Sequence, residues 1–387
     1  MDRLRSEELV GLIEKAFRPG ADDSALAVLI DLPDHALPDR DSWQVRRALA
    51  AGWVRELLAA RHDHGLEVGL FGYRNVRANN ADLPDSAWRI NPDDLPATAD
   101  DLDDERALPL LDVLAGHRLV MAPTELSATA PLKRLAPELG FRAATMPGFT
   151  AAMVPALRLD YDEVDRRVRL LKGMLDRAEA ADLEFLIDGS RRVDLHLDLR
   201  HRTAHASSGL LHEPGTAGNL PSGEAYIVPY EGERPGDPSR SAGSLPIQLG
   251  DDVVDYRIEA NRAVAVDSEG PTADAARRRL ADEPATGNIA ELGLGVLAEL
   301  GVRPIGQLLL DEKLGLHLAF GRSDHFGGAV GPGDFSRPEA VIHQDHVFLP
   351  ELQPRIVAAR VELVMEDGSR LELMRDGHYT VRFNGES

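Results

Sequence analysis

The spacing of apolar residues changes character along the chain. Residues 25–30 (ALAVLI), 66–73 (LEVGLFGY) and 118–123 (RLVMAP) are short, nearly unbroken apolar runs, the pattern of strands covered on both faces. Between and after them, SWQVRRALAAGWVRELLAARHD from Ser42 and the residues near 132–139 have helical spacing, and FRAATMP adds another strand. Strands alternating with helices predict a small, mostly parallel sheet flanked by helices over residues 1–148. Residues 81–106, acidic and without periodicity, read as a solvated loop. A boundary near 147–155 introduces the helix DYDEVDRRVRLLKGMLDRAEA, with Val164, Val168, Leu171 and Leu175 on one packing stripe. Alternation then takes over. RVDLHLDLRH sets Val193, Leu195, Leu197 and Leu199 inward, and Asp194, His196, Asp198 and Arg200 on an outer polar face. Residues 225–266 are strand-rich, with a flexible loop at EGERPGDPSRSAGS. RIVAARVELVM and RLELM form a hairpin turned at Asp367-Gly368, and His378 and Tyr379 beyond it read as surface residues. The expected class is α/β: an N-terminal α/β domain (1–148) with a mostly parallel sheet, and a C-terminal mixed α+β domain (149–387).

Two segments place ionisable groups where a buried strand should be apolar. In residues 314–320, Leu314, Leu316, Leu318 and Phe320 make one apolar face, while Gly315, His317 and Ala319 make the other. His317 thus projects between residues too small to cover it. In residues 341–347, His343 and Asp345 are two apart and point the same way. Two histidines and a carboxylate converging from neighbouring strands suit zinc, cobalt or manganese, although a single strand histidine is more often a hydrogen-bonded core residue. GTAGNLPSGEAYIVP sets Glu224 after a Gly/Pro/Ser turn, at the head of an apolar strand. ATGNIAELGLGVLAELG reads as a helix capped by Asn288, with Glu291 in its first turn, where a capping box alone would explain it. His196 and Asp198 imitate the later His-x-Asp pair, but an outer polar face explains them without a ligand.

Composition narrows the chemistry. The chain has 387 residues and no cysteine, so a metal must take nitrogen and oxygen ligands. Lys+Arg 43 against Asp+Glu 65 gives a net charge of −22, which disfavours nucleic acid and anionic membrane as partners. The start, MDRLRSEELVGLIEKAF, is a charged amphipathic helix without an apolar core segment, and no run approaches the roughly 20 apolar residues of a membrane span, so a cytoplasmic protein is expected. No Gly-rich phosphate loop follows the first strand, which argues against a dinucleotide cofactor.

GNLPSGE, NIAELGLG, DEKLGLHLAFG and the IHQDHV segment, in this order and at these distances, resemble the thermophilic metalloprotease family of aminopeptidases, the aminopeptidase T and aminopeptidase S group. The resemblance covers roughly residues 150–350. It implies a peptide substrate, a homodimer whose partner helps close the cavity, and two divalent ions held by Glu224, Glu291, His317, His343 and Asp345. Members usually carry a tyrosine shortly after the strand histidine, in a segment like ALGSSY. Here the run is AFGRSDHFGG, with Asp324 and His325 in its place, and His325 is the candidate to stand in as donor or proton carrier. Two other readings stay open. The family's relatives include ring-opening dioxygenases of dihydroxypyridine type, which use one iron held by two histidines and a carboxylate. A non-hydrolytic peptide-binding protein on the same scaffold is the other.

Overall fold

A computed structural model of the chain describes residues 3–383. They form a mixed α/β structure of two compact units, Met1–Asp165 with Ser207–Ser222, and Arg166–Ala206 with Gly223–Ser387. The first unit thus runs past residue 148 to Asp165 and is completed by a later segment.

In the first unit a seven-stranded sheet has the order Ala217–Asn219, Arg142–Thr145, Leu119–Ala122, Ala25–Leu32, Glu67–Arg74, Ser86–Ile90, Leu108–Pro109. The first five run parallel, and the last two join antiparallel. All eight residues of Ala25–Leu32 are buried, as an unbroken apolar run in a two-sided sheet requires. Helices Asp41–Ala59 and Thr129–Leu139 occupy the spans where helical spacing placed them. The acidic stretch 81–106 is not all loop. Ala87, Trp88 and Ile90 are buried on a strand that pairs with Glu67–Arg74, so three apolar side chains outweigh the surrounding charge.

The second unit contains two sheets. Eight antiparallel strands have the order Arg262–Val266, Asp252–Glu259, Ala242–Leu249, Arg191–Asp198, Ala178–Ile187, Ile356–Met365, Arg370–Arg375, His378–Tyr379. The C-terminal hairpin forms with Gly368 at φ +80°, the left-handed position its turn needs. Asp198 is buried rather than outward, its carboxylate accepting hydrogen bonds from Arg200 and the Arg240 N–H, and His196 pairs with Asp182 at 2.6 Å. Tyr379 is likewise not a free surface residue, since its hydroxyl donates to the Gly295 carbonyl at 3.0 Å.

The other sheet carries the chemistry. Its order is His343–Val347, Leu316–Gly321, Ile289–Gly295, Glu224–Ile227, His205–Ser207. The NIAELGLG segment is therefore a strand, not the helix its cap-like Asn288 suggested. Gly293 and Gly295 disfavour a helix, and Leu292 and Leu294 repeat every second residue, which buries them on one side of a sheet. Among the described residues, no helix is long and apolar enough to cross a membrane.

Candidate metal centre

Strand register decides which side chains meet. Glu224 lies opposite Gly295, Tyr226 opposite Gly293, Gly293 opposite His317, Glu291 opposite Ala319, and Ala319 in turn opposite Asp345. Because side chains alternate, Glu224, Tyr226, Glu291, His317, His343 and Asp345 share one face of the sheet, with Gly293, Gly295, Ala319 and Gly321 between them. The opposite face is apolar: Ala225, Ile227, Leu292, Leu294, Leu316, Leu318 and Phe320 are buried. Each strand thus divides its residues between a core and a site. Small neighbours are what allow this. A Cβ on Gly293 would lie 1.9 Å from His317 Nε2, so the imidazole crosses directly over that backbone.

The five expected ligands come together as two overlapping groups. Glu224, Glu291 and His317 bring ligand atoms within 4.8 Å of one another, and so do Glu291, His343 and Asp345. Glu291 belongs to both, with Oε1 3.3 Å from His317 Nε2 and Oε2 3.2 Å from His343 Nε2. Glu224 Oε2 is 3.5 Å from His317 Nε2, and Asp345 Oδ1 is 3.5 Å from His343 Nε2. Each imidazole is oriented through its other nitrogen. His317 Nδ1 meets the Gly315 carbonyl at 3.2 Å and His343 Nδ1 the Arg322 carbonyl at 2.8 Å, which leaves both Nε2 atoms directed at the carboxylates. Fixing Nδ1 on a carbonyl is how proteins present a histidine to a metal.

Taken as protein groups alone, the centre demands positive charge. Burial opposes ionisation of Glu291, yet the hydrogen bonds from His317 and His343 hold its carboxyl far below the usual range. Burial would lower His317, but the Glu291 hydrogen bond and the Glu224 and Glu291 charges outweigh it and raise the imidazole to about 9. His343 is raised as well, burial being overcome by Asp345 and Glu291. Protons gather on groups that could instead share a cation. Glu224 Oε2 is buried with no hydrogen-bond partner, an orphaned acceptor that an ion would satisfy. Three carboxylates and two Nε2-presenting histidines therefore fit divalent ions with nitrogen and oxygen ligands.

Several neighbours had no clear mark in the sequence. Lys313 is buried, its Nζ donating to Glu224 Oε1 and to Glu312 Oε1. Burial raises the Glu312 carboxyl to about 8, even with Lys313 beside it. Tyr226 stands two residues after Glu224, and burial together with the Glu291 and Glu224 charges pushes its phenol up. Its ring stacks on His205 at 5.1 Å and meets Phe326 edge-on at 4.8 Å. Phe326 in turn lies edge-on to His343 at 5.4 Å. Phe326 follows the two candidates for the missing tyrosine. His325 packs 5.4 Å from the His343 ring, and burial and the His343 charge lower it to about 4. The Asp324 carboxylate is engaged by Arg322 at 2.5 Å.

The Gly-rich loop beyond them is anchored by Glu231, which lies within the segment expected to be a flexible loop but has its side chain enclosed. Its carboxylate accepts from Asn288 Nδ2 at 2.6 Å, Ser323 Oγ at 2.5 Å, Arg202 at 3.2 Å and the Ala329 N–H. Asn288 starts no helix; it closes the short 3-10 turn Pro284–Gly287. It bridges Glu231 to the Gly321 carbonyl, at 3.0 Å, beside the His317 strand.

No family profile and no curated protein matches the sequence. Among solved structures, the fold is similar to 2,5-dihydroxypyridine dioxygenase from Pseudomonas putida, with a TM-score of 0.61 at 16% identity over 98% of this chain and 99% of that one. It is also similar to AmpT from Thermus thermophilus, with a TM-score of 0.54 at 16% identity over 97% and 98% of the two chains. Both likenesses span nearly the whole length, and at this identity they establish the fold.

Proposed function

We propose that the chain is a metal-dependent aminopeptidase that removes N-terminal residues from peptides. One observation carries this reading above others: Glu291 presents one oxygen to the His317 side and the other to the His343 side, so a single carboxylate joins two three-ligand groups. That is the arrangement of a two-ion hydrolytic centre. The ordered motifs of the aminopeptidase T and S group and the fold likeness to AmpT support it.

Zinc, cobalt or manganese held there would supply a water that ionises near neutral pH and a Lewis acid for the scissile carbonyl. The chain's own residues do the rest. Glu224, Glu291 and His317 form the buried floor, while His343 and Asp345 lie toward the more open edge, where the peptide enters. His325, beside His343, is the side chain placed to take a proton from the attacking water and pass it to the departing amine. The Tyr226 hydroxyl, on the same face as Glu224, donates to the oxygen of the carbonyl under attack and so stands in for the family tyrosine that this chain lacks. Asp324, paired with Arg322, holds the turn that presents His325.

A second reading rests on the other fold likeness. His317, His343 and one carboxylate would be the two-histidine, one-carboxylate complement of a single-iron oxygenase, with Glu291, which faces both imidazoles, as the carboxylate that joins them. The experiment that separates them is turnover of aminoacyl substrates by metal-stripped chain reloaded with zinc, cobalt or manganese under nitrogen. Hydrolysis without oxygen supports the peptidase, whereas no aminoacyl hydrolysis together with oxygen uptake on a dihydroxypyridine by iron-loaded chain supports the second reading.

A further inference from the structure

Lys313 is the one buried lysine of the four in the chain, and its backbone is fixed against the Glu291 strand. Its carbonyl accepts from the Leu297 N–H at 2.9 Å, and a Cβ on Gly295 would come within 2.2 Å of its carbonyl carbon. The ammonium thus reaches the centre from a rigid base. It divides the Glu224 carboxylate: Oε1 accepts from Nζ, while Oε2, buried and without a hydrogen-bond partner, faces His317 Nε2 at 3.5 Å. A second acceptor, Glu312 Oε1, holds Nζ in place. Among the described residues no lysine or arginine side chain pairs with the other half: Glu291 meets His317 and His343, Asp345 meets His343, and the His343 ring packs against His325 and Phe326 with its Nδ1 on the Arg322 carbonyl. An ion on Glu224 would share that carboxylate with a fixed positive charge, in surroundings where like charges are poorly screened.

We propose that Lys313 makes the two halves of the centre unequal: the Glu291–His343–Asp345 half holds its ion tightly, and the Glu224–Glu291–His317 half binds a second ion weakly and exchanges it. The inference rests on the metal-centre reading above and concerns binding, not turnover. It assigns Lys313 as a resident cation that sets the affinity of the second ion.

The test is zinc titration of the metal-stripped full-length chain by calorimetry, with metal content measured after exhaustive dialysis. Two separated steps are expected, with about one ion per chain surviving dialysis. Lys313→Met should tighten the weaker step by about tenfold or more, the scale on which groups behind a ligand act, while Lys313→Arg should preserve the separation. Glu224→Gln should remove the weaker step and leave the tighter one. Two ions of equal affinity in the unmodified chain would overturn the proposal, and that reading stands even where a Lys313 variant fails to fold. An unchanged weaker step in folded Lys313→Met would also overturn it. An inactive chain with two separated steps would sink the peptidase reading alone, and an active chain with two equal steps would sink this inference alone. A chain that binds no ion would sink both.

Discussion

An imidazole whose Nδ1 is committed to a carbonyl has only Nε2 left to offer, and His317 and His343 are both held in this way. Replacing His343 or Asp345 with Ala should therefore cost at least about 100-fold in kcat/KM together with loss of an ion, measured by turnover and metal content side by side. Full turnover in either variant would remove the ligand assignment. Tyr226→Phe should lower kcat by about 100-fold, the cost of one lost donor to a developing oxyanion, with KM and metal content unchanged. A change in KM alone would make Tyr226 a wall of the substrate site instead. Gly293→Ala would push a methyl group into His317, and metal affinity should drop by about tenfold or more in a titration. Of the candidate ligands, His317, His343 and Asp345 were legible because they interrupt apolar strands with groups such strands avoid, whereas Glu224 and Glu291 stood out through the ordered motifs. Lys313 and Tyr226 were not. Lys313 follows two acids and reads as surface charge, and Tyr226 sits inside an apolar run where an aromatic needs no explanation.

At the scale of elements, the segment around Glu291 shows how a local signal can mislead. Asn288 followed three residues later by Glu291 imitates a capping box, but the alternation of Leu292 and Leu294 with Gly293 and Gly295 was the stronger sign, since glycine pairs poorly with helix and the leucines need one buried side. Asn288 gained a different task, tying the strand to Glu231 and the Gly-rich loop. Glu231 could not be recognised from sequence, because its partners lie 29 to 98 residues away. Glu231→Gln should cost about 1–3 kcal/mol in urea unfolding and speed amide exchange at Ala329, since a carboxylamide cannot satisfy four donors. Unchanged exchange would show that the loop is held by other contacts. The parallel strands of the first unit were readable for the opposite reason: buried on both sides, they permit almost no polar residue. Asp31 is the exception in Ala25–Leu32. It accepts from the Trp43 indole and from the Glu125 and Leu126 N–H groups, and burial raises its carboxyl from 3.8 to about 6. A carboxyl raised on folding adds stability below its unfolded value and loses it as pH climbs through the folded one. Relative to Asp31→Asn, the unmodified chain should lose about 2 kcal/mol between pH 4 and 7, measured by urea unfolding at each pH. Parallel curves for the two proteins would contradict this.

For the whole molecule, the net charge of −22 disfavours a polyanionic partner, and the absence of cysteine leaves only oxygen and nitrogen ligands, the atoms that converge here. Ions that bind the folded chain stabilise it by mass action, about 2.7 kcal/mol at a hundred times their Kd, so stripping them with a chelator should lower the melting temperature and re-adding zinc should restore it. A melting curve indifferent to chelator would mean that the centre holds no ion. The homodimer implied by the family resemblance is a separate proposal, checked by sedimentation of the loaded chain. The most direct test of the central claim is turnover on a panel of aminoacyl substrates with free and acetylated α-amines, using stripped chain reloaded with zinc, cobalt, manganese or iron, in air and under nitrogen. Hydrolysis should be restored by zinc, cobalt or manganese, be indifferent to oxygen and be abolished by acetylation. Ion binding with no hydrolysis of any substrate, or turnover only with iron and oxygen, would contradict it.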